Sequence, residues 1–294
     1  MRFLPGDILV AASNVPSNLD LRNLHGPGRI LHFDPKFNLK QTLATQTDGL
    51  VIGLAIDPLS GDVFAADARA KTVVRFEATG STQPKVVALP PYKFGTLAFD
   101  ADGQLFLGIH NLLGEANDAN PDLLWRHTPD SNDLSSWAVE CDGGKLKFHR
   151  VSFLSLDPTG GRLLYASENG RRVLQFDLVT QRQLDDFLVL TDDDPRGTFG
   201  LDHLSDGRVL MATGIGASLF SAQGQELLRY PIDERRGWSR AQLSNDQQSF
   251  FVNNFLEGMI EQRRIDNGDL LRQHDIQHRH ALCGIVEYPE LSST

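Results

Sequence analysis

Arginines in short basic clusters are the residues of this sequence best suited to binding a small molecule. Arg150, Arg196 and Arg279 stand in three such clusters, each beside histidine, proline or glycine. The planar guanidinium forms two parallel hydrogen bonds with carboxylate or phosphate, so these arginines favour an anionic ligand. The alternative is that each pairs with a nearby acid, such as the aspartates at 192–194, because surface charges are usually solvated or paired.

Histidines in the same clusters are the candidates for proton transfer. His280 is the first candidate and His149 the second, because an imidazole titrates near neutral pH and serves as general acid or base. His274, His278 and His280 do not have the spacing of an established zinc motif, and no cysteine pair accompanies them. A structural role for each single histidine is the competing interpretation.

A third group of polar residues follows predicted strands at corresponding positions. Side chains there could bind the ligand, and their oxygen atoms are also of the kind that calcium prefers. The alternative is that Asn and Asp cap tight turns at these positions. The metal is therefore left open. The candidates are Asn14, Asp67, His110, Asn111, Glu168 and Asn254.

Composition excludes several classes of protein. The chain has 294 residues, of which 40% are hydrophobic, and a formal net charge of −10. An acidic protein is not expected to bind nucleic acid or an anionic membrane surface. No apolar run reaches the roughly 20 residues that span a bilayer. Two distant cysteines, Cys141 and Cys283, exclude a disulfide scaffold, and the N-terminus is a poor signal peptide, so we expect a cytoplasmic protein.

An internal repeat determines how these residues are positioned. Residues 53–76, GLAIDPLSGDVFAADARAKTVVRF, predict three short apolar strands separated by two turns, and residues 152–177 repeat the pattern. Less regular copies fill most of the chain and give six units in all. Units of this length with four short strands are typical of propeller blades.

The chain ends predict how the ring closes. Residues 283–289, CGIVEYP, match the first strand of the repeat but have no second strand after them. The N-terminal unit begins with a second strand and lacks a first. Joining the two removes exposed sheet edges. We therefore predict an all-β, six-bladed β-propeller of four-stranded antiparallel blades, forming a single domain over residues 1–294.

The repeat quoted above resembles NHL-type propeller repeats, within the wider regucalcin–gluconolactonase group. This resemblance covers most of the chain as architecture and implies a hydrolase-like enzyme acting on a small molecule. It also implies a divalent metal held by Glu and Asn or Asp residues where inner strands begin. Asp48 occupies one such place, whereas the other blades lack the corresponding Glu and Asn-Gly.

Two insertions indicate the working face of the ring. Residues 15–27 and 112–122 both interrupt the connection between a second and a third strand, so they should rise from the same face. We predict an enzyme of hydrolase, lyase or isomerase type acting on an anionic metabolite at the channel mouth there. The alternative is a non-catalytic scaffold whose loops bind a protein partner.

Overall fold

The structure, a computed structural model, describes residues 1–110, 122–131, 133–143, 150–232 and 235–291. Its strands form six antiparallel sheets of four strands each, arranged as the blades of a β-propeller. Within each blade, the first strand lies innermost, at the central channel, and the fourth lies outermost. The predicted fold class is confirmed.

The first three blades contain the following strands, from the innermost to the outermost. Blade 1 comprises β24 (Leu282–Glu287), β1 (Ile8–Ala12), β2 (Gly26–Phe33) and β3 (Leu39–Gly49). Blade 2 comprises β4 (Val51–Ile56), β5 (Val63–Asp67), β6 (Thr72–Phe76) and β7 (Lys85–Val86). Blade 3 comprises β8 (Phe94–Phe99), β9 (Leu105–Ile109), β10 (Leu123–His127) and β11 (Leu134–Ala138).

The other three blades follow the chain in the same order. Blade 4 comprises β12 (Phe153–Leu156), β13 (Arg162–Ala166), β14 (Arg172–Asp177) and β15 (Arg182–Val189). Blade 5 comprises β16 (Leu201–His203), β17 (Val209–Ala212), β18 (Gly216–Phe220) and β19 (Glu226–Pro231). Blade 6 comprises β20 (Trp238–Leu243), β21 (Ser249–Asn254), β22 (Met259–Arg264) and β23 (Leu270–Asp275).

Blade 1 joins the two ends of the chain, as the sequence predicts. Strand β24 pairs antiparallel with β1, with Val10 opposite Ile285 and Ile8 opposite Glu287. Tyr288, just beyond β24, donates a hydrogen bond from its hydroxyl to the carbonyl oxygen of Gly61 in blade 2. The closing strand is therefore attached both to its own blade and to the next.

The repeated turn explains why each first strand ends where it does. In blade 2, Asp57 accepts hydrogen bonds from the backbone N–H of Leu59 and the hydroxyl of Ser60. Gly61 then takes a φ of 75°, which suits a residue without a side chain. The turn of the degenerate sixth unit also contains a left-handed residue, Gln247 with a φ of 54°, one position earlier in the turn than Gly61. That unit is irregular in sequence only, since all four of its strands form.

The sequence offers two candidate positions for the outer strand of blade 3, residues 136–140 and 145–148. The outer strand of blade 3 is β11, which overlaps the candidate at residues 136–140. The other candidate, residues 145–148, lies outside the described residues. The outer strand of blade 2 is only two residues long, shorter than the predicted 85–89.

Apolar contacts between neighbouring blades form the core. Strand β5 is buried along its whole length, because its two faces pack against different blades. One cluster combines Phe153 of blade 4 with Leu219 of blade 5 and Phe250 of blade 6. The ring therefore holds its inner strands rigidly around the channel. None of the described residues forms a helix of the length and apolarity that a membrane crossing requires.

Candidate functional site

A cavity of about 320 Å³ opens at one end of the channel, and we call it the upper cavity. All six blades contribute to its lining, through loops that lead into first strands and loops that connect second to third strands. Most of its wall is apolar. The principal apolar residues are Leu24, Leu50, Ile52, Phe153, Phe199 and Phe255.

The first insertion covers part of this cavity, as its position in the sequence predicts. Leu21 and Leu24 line the cavity. Val15 and Leu24 are buried in an apolar cluster with Leu50 and Ile52, which fixes the insertion to blade 2. Of the second predicted insertion, only Asp122 belongs to the described residues.

Two predicted site residues from different blades meet at the cavity wall. His110 follows β9 in blade 3 and Glu168 follows β13 in blade 4, and both line the upper cavity. Nε2 of His110 lies 3.1 Å from Oε2 of Glu168. The histidine side chain is 7% exposed and the glutamate side chain 30%, so the carboxylate is the more accessible partner.

Local backbone features place this pair. Gly95 of blade 3 faces the His110 side chain so closely that any Cβ atom at position 95 would collide with it. Asn169, directly after Glu168, takes a left-handed φ of 57°, a conformation that Asn tolerates. The ring of His110 also packs edge-on against Phe153, with the ring centroids 6.1 Å apart. His110 is therefore fixed in orientation while Glu168 faces the cavity.

The thiol of Cys283 also lines the upper cavity. Its pKa is raised, primarily by burial and further by the negative charges of Glu168 and Asp67. A protonated thiol is a weak nucleophile. Cys283 therefore contributes to the shape of the wall, and we assign it no role in chemistry.

Three arginines line the upper cavity, although the whole protein is acidic. They are Arg69, Arg236 and Arg240, whereas Glu168 is the only carboxylate that the described residues contribute to the lining. Arg69 donates a hydrogen bond to the carbonyl oxygen of Arg22 in the insertion. Arg240 reaches deepest, because it also lines a second cavity of about 310 Å³ further along the channel, which we call the lower cavity.

The predicted anion-binding arginines lie elsewhere. Arg196 is buried and paired with Asp194, at 2.6 Å, and with Glu226, at 2.5 Å. Arg150 is buried and lies 2.6 Å from Asp122. These contacts correspond to the paired alternative considered from the sequence.

Arg279 differs from these two in exposure. Its side chain is 72% exposed and lies 3.3 Å from Glu257. Arg150, Arg196 and Arg279 are all absent from the lining of the upper cavity. A ligand role for them stays a prediction.

Of the two histidines predicted to be catalytic, the structure describes one. His280 packs against the cavity residue Phe255, with a distance of 6.2 Å between ring centroids, and does not itself line the cavity. His149 lies outside the described residues, as does the predicted ligand residue Asn111.

The oxygen-bearing residues predicted at strand ends serve turns where the structure describes them. Oδ1 of Asn254 accepts from the backbone N–H groups of Leu256 and Glu257. Asp67 accepts from two backbone N–H groups and from Thr47. Asn14 is exposed and away from the cavity.

Asp67 and Asn254 do not fit a calcium site, because their side-chain oxygen atoms accept hydrogen bonds within turns. Within the described ranges, no three His, Cys, Asp or Glu side chains come together in a group suited to a metal ion. We therefore assign no step to a metal.

Sequence reasoning missed Arg69 and Arg240 as members of the site, whereas Arg236 lies in a basic loop before a first strand, where the sequence predicts cationic residues at the channel mouth. Arg240 lies within the first strand of blade 6, at a position where the matching strands of three other blades carry glycine. The presence of arginine in place of glycine at this position can be seen when the six repeats are aligned. Asp202, in the first strand of blade 5, is a similar charged exception.

Comparison with known proteins gives the fold. Neither a family model nor a curated protein matches the chain. The chain is similar to one in a crystal structure of a nidogen–laminin complex, with a TM-score of 0.66 and 14% identity over 95% of this chain and 97% of that one. It is also similar to a gluconolactonase from Xanthomonas campestris, with a TM-score of 0.58 and 16% identity over 77% of this chain and 75% of that one. At these identities the likeness shows the propeller fold alone.

Proposed function

We propose that this protein is an enzyme that hydrolyses a small anionic molecule in the upper cavity. The observation that carries the proposal is the contact between His110 and Glu168 on the wall of that cavity. A carboxylate with a fixed partner and an accessible edge is suited to act as a general base. Among the described lining residues, three arginines stand against one carboxylate, which favours a negatively charged substrate.

Glu168 is the proposed general base. Its carboxylate would take a proton from a water molecule as that water attacks the substrate. His110, 3.1 Å away, would position the carboxylate and stabilise its negative charge. The same base would also serve lyase or isomerase chemistry, in which the proton comes from a carbon atom of the substrate. Hydrolysis is preferred here because the structural neighbours include a gluconolactonase, a fold-level analogy only.

The apolar wall defines the rest of the substrate. Pockets for small molecules are mostly apolar and contain a few polar groups that fix orientation. The upper cavity has this character, and its volume of about 320 Å³ suits a compact molecule. A substrate with an apolar body and one charged end fits this lining better than a sugar-like molecule with many hydroxyl groups.

The test is hydrolysis of a panel of lactones and carboxylate-bearing esters by the whole protein. Glu168→Gln should lower kcat/KM by about 100- to 10,000-fold, the usual contribution of a general base. Glu257→Gln is the matched control, since Glu257 lies on a nearby loop, pairs with Arg279 and does not line the cavity. The control should retain activity within about twofold.

Full activity in Glu168→Gln would contradict the proposed base. Absence of turnover for every member of the panel would contradict the proposed hydrolase. That second outcome would favour the alternative of a non-catalytic scaffold with a protein partner.

A further inference from the structure

Six equivalent positions of the first strands lie between the upper and the lower cavity. In every blade, the residue just after the first strand donates a backbone hydrogen bond to a carbonyl oxygen near the start of the second strand. Examples are Asp57, which donates to Asp62, and Ser244, which donates to Ser249. The residue four positions before this donor lies between residues that line the upper cavity and residues that line the lower cavity. We call these six residues the waist: Gly53, Thr96, Phe153, Gly200, Arg240 and Gly284.

Arg240 is the only charged residue of the waist, and the glycines leave room for it. A Cβ atom at Gly200 would lie 2.6 Å from Cδ of Arg240 and 2.9 Å from its Cα. Arg240 lines both cavities. Its side chain therefore occupies the channel between them, where a ligand entering from the upper cavity would reach it.

The guanidinium of Arg240 lacks the partners that enclosed charges normally have. Across the part of the chain that the structure describes, Arg240 forms no ion pair, and its buried Nε atom has no hydrogen-bond partner. Nη2 donates to Oε1 of the neutral Gln242 at 3.1 Å. Burial lowers the pKa of Arg240, and only the charge of Asp202 opposes this effect. Arg240 is half-buried at the cavity wall, and a half-buried charge without an ion pair is suited to bind an anionic group of a ligand.

Asp202 is close enough to influence Arg240 but is occupied elsewhere. Its Oδ2 atom accepts hydrogen bonds from Nε2 of Gln242 and from the backbone N–H of Leu243, the latter at 2.8 Å. Gln242 therefore links Asp202 to Arg240 and holds both side chains. Because Asp202 is held by Gln242 and Leu243, Arg240 has only Gln242 as a side-chain hydrogen-bond partner among the described residues, at a position that lines both cavities.

We propose that the waist binds one carboxylate group of a ligand whose apolar body occupies the upper cavity, with Arg240 as its charge partner. The inference rests on the proposed function and names its substrate class as a monocarboxylate. Phe153, also at the waist, and Ile52 and Phe199 at the upper cavity would contact the apolar body next to that carboxylate.

Charge favours a monoanion over a phosphate at this position. The waist offers one guanidinium, and one of its nitrogen atoms is already used by Gln242. A phosphate dianion would require additional cations or backbone N–H groups, and Asp202 would repel its second charge. One planar carboxylate matches one guanidinium in both charge and geometry.

Binding of simple probes to the whole protein tests this inference. The probes are benzoate and hexanoate, their uncharged amides benzamide and hexanamide, and inorganic phosphate, with dissociation constants measured by calorimetry or ligand-observed NMR. Both carboxylates should bind at least tenfold more tightly than their amides, and phosphate should bind more weakly than either carboxylate.

Arg240→Gln should weaken carboxylate binding at least tenfold and amide binding less than twofold. Arg208→Gln is the matched control, because it removes the same charge from a side chain that pairs with Asp206 and lines neither cavity, and it should change binding less than twofold. If Arg240→Gln does not fold, Arg240→Lys provides the second variant. It keeps the charge but loses the planar fork, and should weaken carboxylate binding about fivefold.

Three outcomes would overturn the inference: equal binding of carboxylates and amides, tighter binding of phosphate, or unchanged carboxylate binding in the folded Arg240 variant. Glu168→Gln separates this inference from the proposed hydrolysis. Carboxylate binding that depends on Arg240 but not on Glu168 supports the waist site even without turnover. Turnover that depends on Glu168, with binding independent of Arg240, would leave the hydrolase and remove the waist site.

Discussion

Two enclosed arginines on neighbouring blades, Arg196 and Arg240, show different uses of the same side chain. Arg196 contacts two carboxylates, and its hydrogen bonds with Asp194 lower the pKa of that acid to about 2. Arg240 contacts one neutral amide, and the pKa of the nearby acid Asp202 is raised to about 6, primarily by burial. We infer that an arginine whose charge is compensated by carboxylates, such as Arg196, stabilises the fold. An arginine at a cavity without an ion pair among the described residues, such as Arg240, is a candidate to bind a ligand.

The largest effect on the free energy of unfolding is expected from replacing Arg196, the arginine with two carboxylate partners. Arg196→Met would leave Asp194 without its partner and Glu226 with Arg229 alone, which should lower the free energy of unfolding by about 2–3 kcal/mol. This value allows for the partial exposure of both acids. Urea denaturation measures it, with Arg279→Met as the exposed control that should cost under about 0.5 kcal/mol. Equal stability of Arg196→Met and wild type would contradict a scaffold role.

A change of intermediate size in the free energy of unfolding is expected when Asp202 titrates. Its folded pKa of about 6 lies above the ordinary value of 3.8, so the folded protein holds this proton more tightly than the unfolded chain. The contribution of Asp202 to stability should therefore fall as pH rises from about 4 to about 6, by about 1–2 kcal/mol, and stay constant above. Urea denaturation at pH 4 and pH 7 should show Asp202→Asn gaining stability relative to wild type by this amount.

The adjacent His203 is the control, because its contribution to stability should change with pH in the direction opposite to that of Asp202. Burial lowers its pKa to about 4, so its contribution to stability is present above the ordinary value of 6.5 and is lost as pH falls toward 4. His203→Asn should therefore gain stability relative to wild type as pH falls. An Asp202→Asn difference that does not change with pH would indicate that Asp202 is an ordinary ion-pair partner of Arg240.

The smallest effect on stability is expected from Arg240 itself. Arg240→Met loses one hydrogen bond to Gln242 but removes a half-buried charge that has no ion-pair partner among the described residues. These effects oppose each other, so the free energy of unfolding should change by less than about 1 kcal/mol. Urea denaturation beside Arg196→Met measures the contrast directly. A loss above about 2 kcal/mol would place Arg240 in the scaffold as well.

The fold could be predicted to the level of single strands because its signals are local. The turn at residues 57–61 and the apolar strands beside it recur along the chain, and strand pairing within each blade joins neighbours in sequence. The ring closure is the one long-range feature, and the match between the two chain ends predicted it. Outer strands such as β7 were less certain, because few side chains there are buried.

The site was only partly predictable. His110 and Glu168 were identified because both directly follow second strands, and the ring brings such ends together. The pairing of Arg196 with Asp194 was foreseen as an alternative, because the two residues are neighbours along the chain. The other partners, Asp122 of Arg150 and Glu226 of Arg196, were not foreseen, since they are 28 and 30 residues away along the chain. A contact of that separation leaves no local pattern.

The sequence by itself determined the number of blades, their order and the strand that closes the ring, because apolar alternation and turn residues act over a few positions. Only the tertiary structure decided which charges are compensated. Ion pairing depends on distances of a few ångströms between side chains from different strands. Arg196 found two carboxylates within that range and Arg240 found none among the described residues, so the same residue type became scaffold in blade 5 and a candidate ligand site in blade 6.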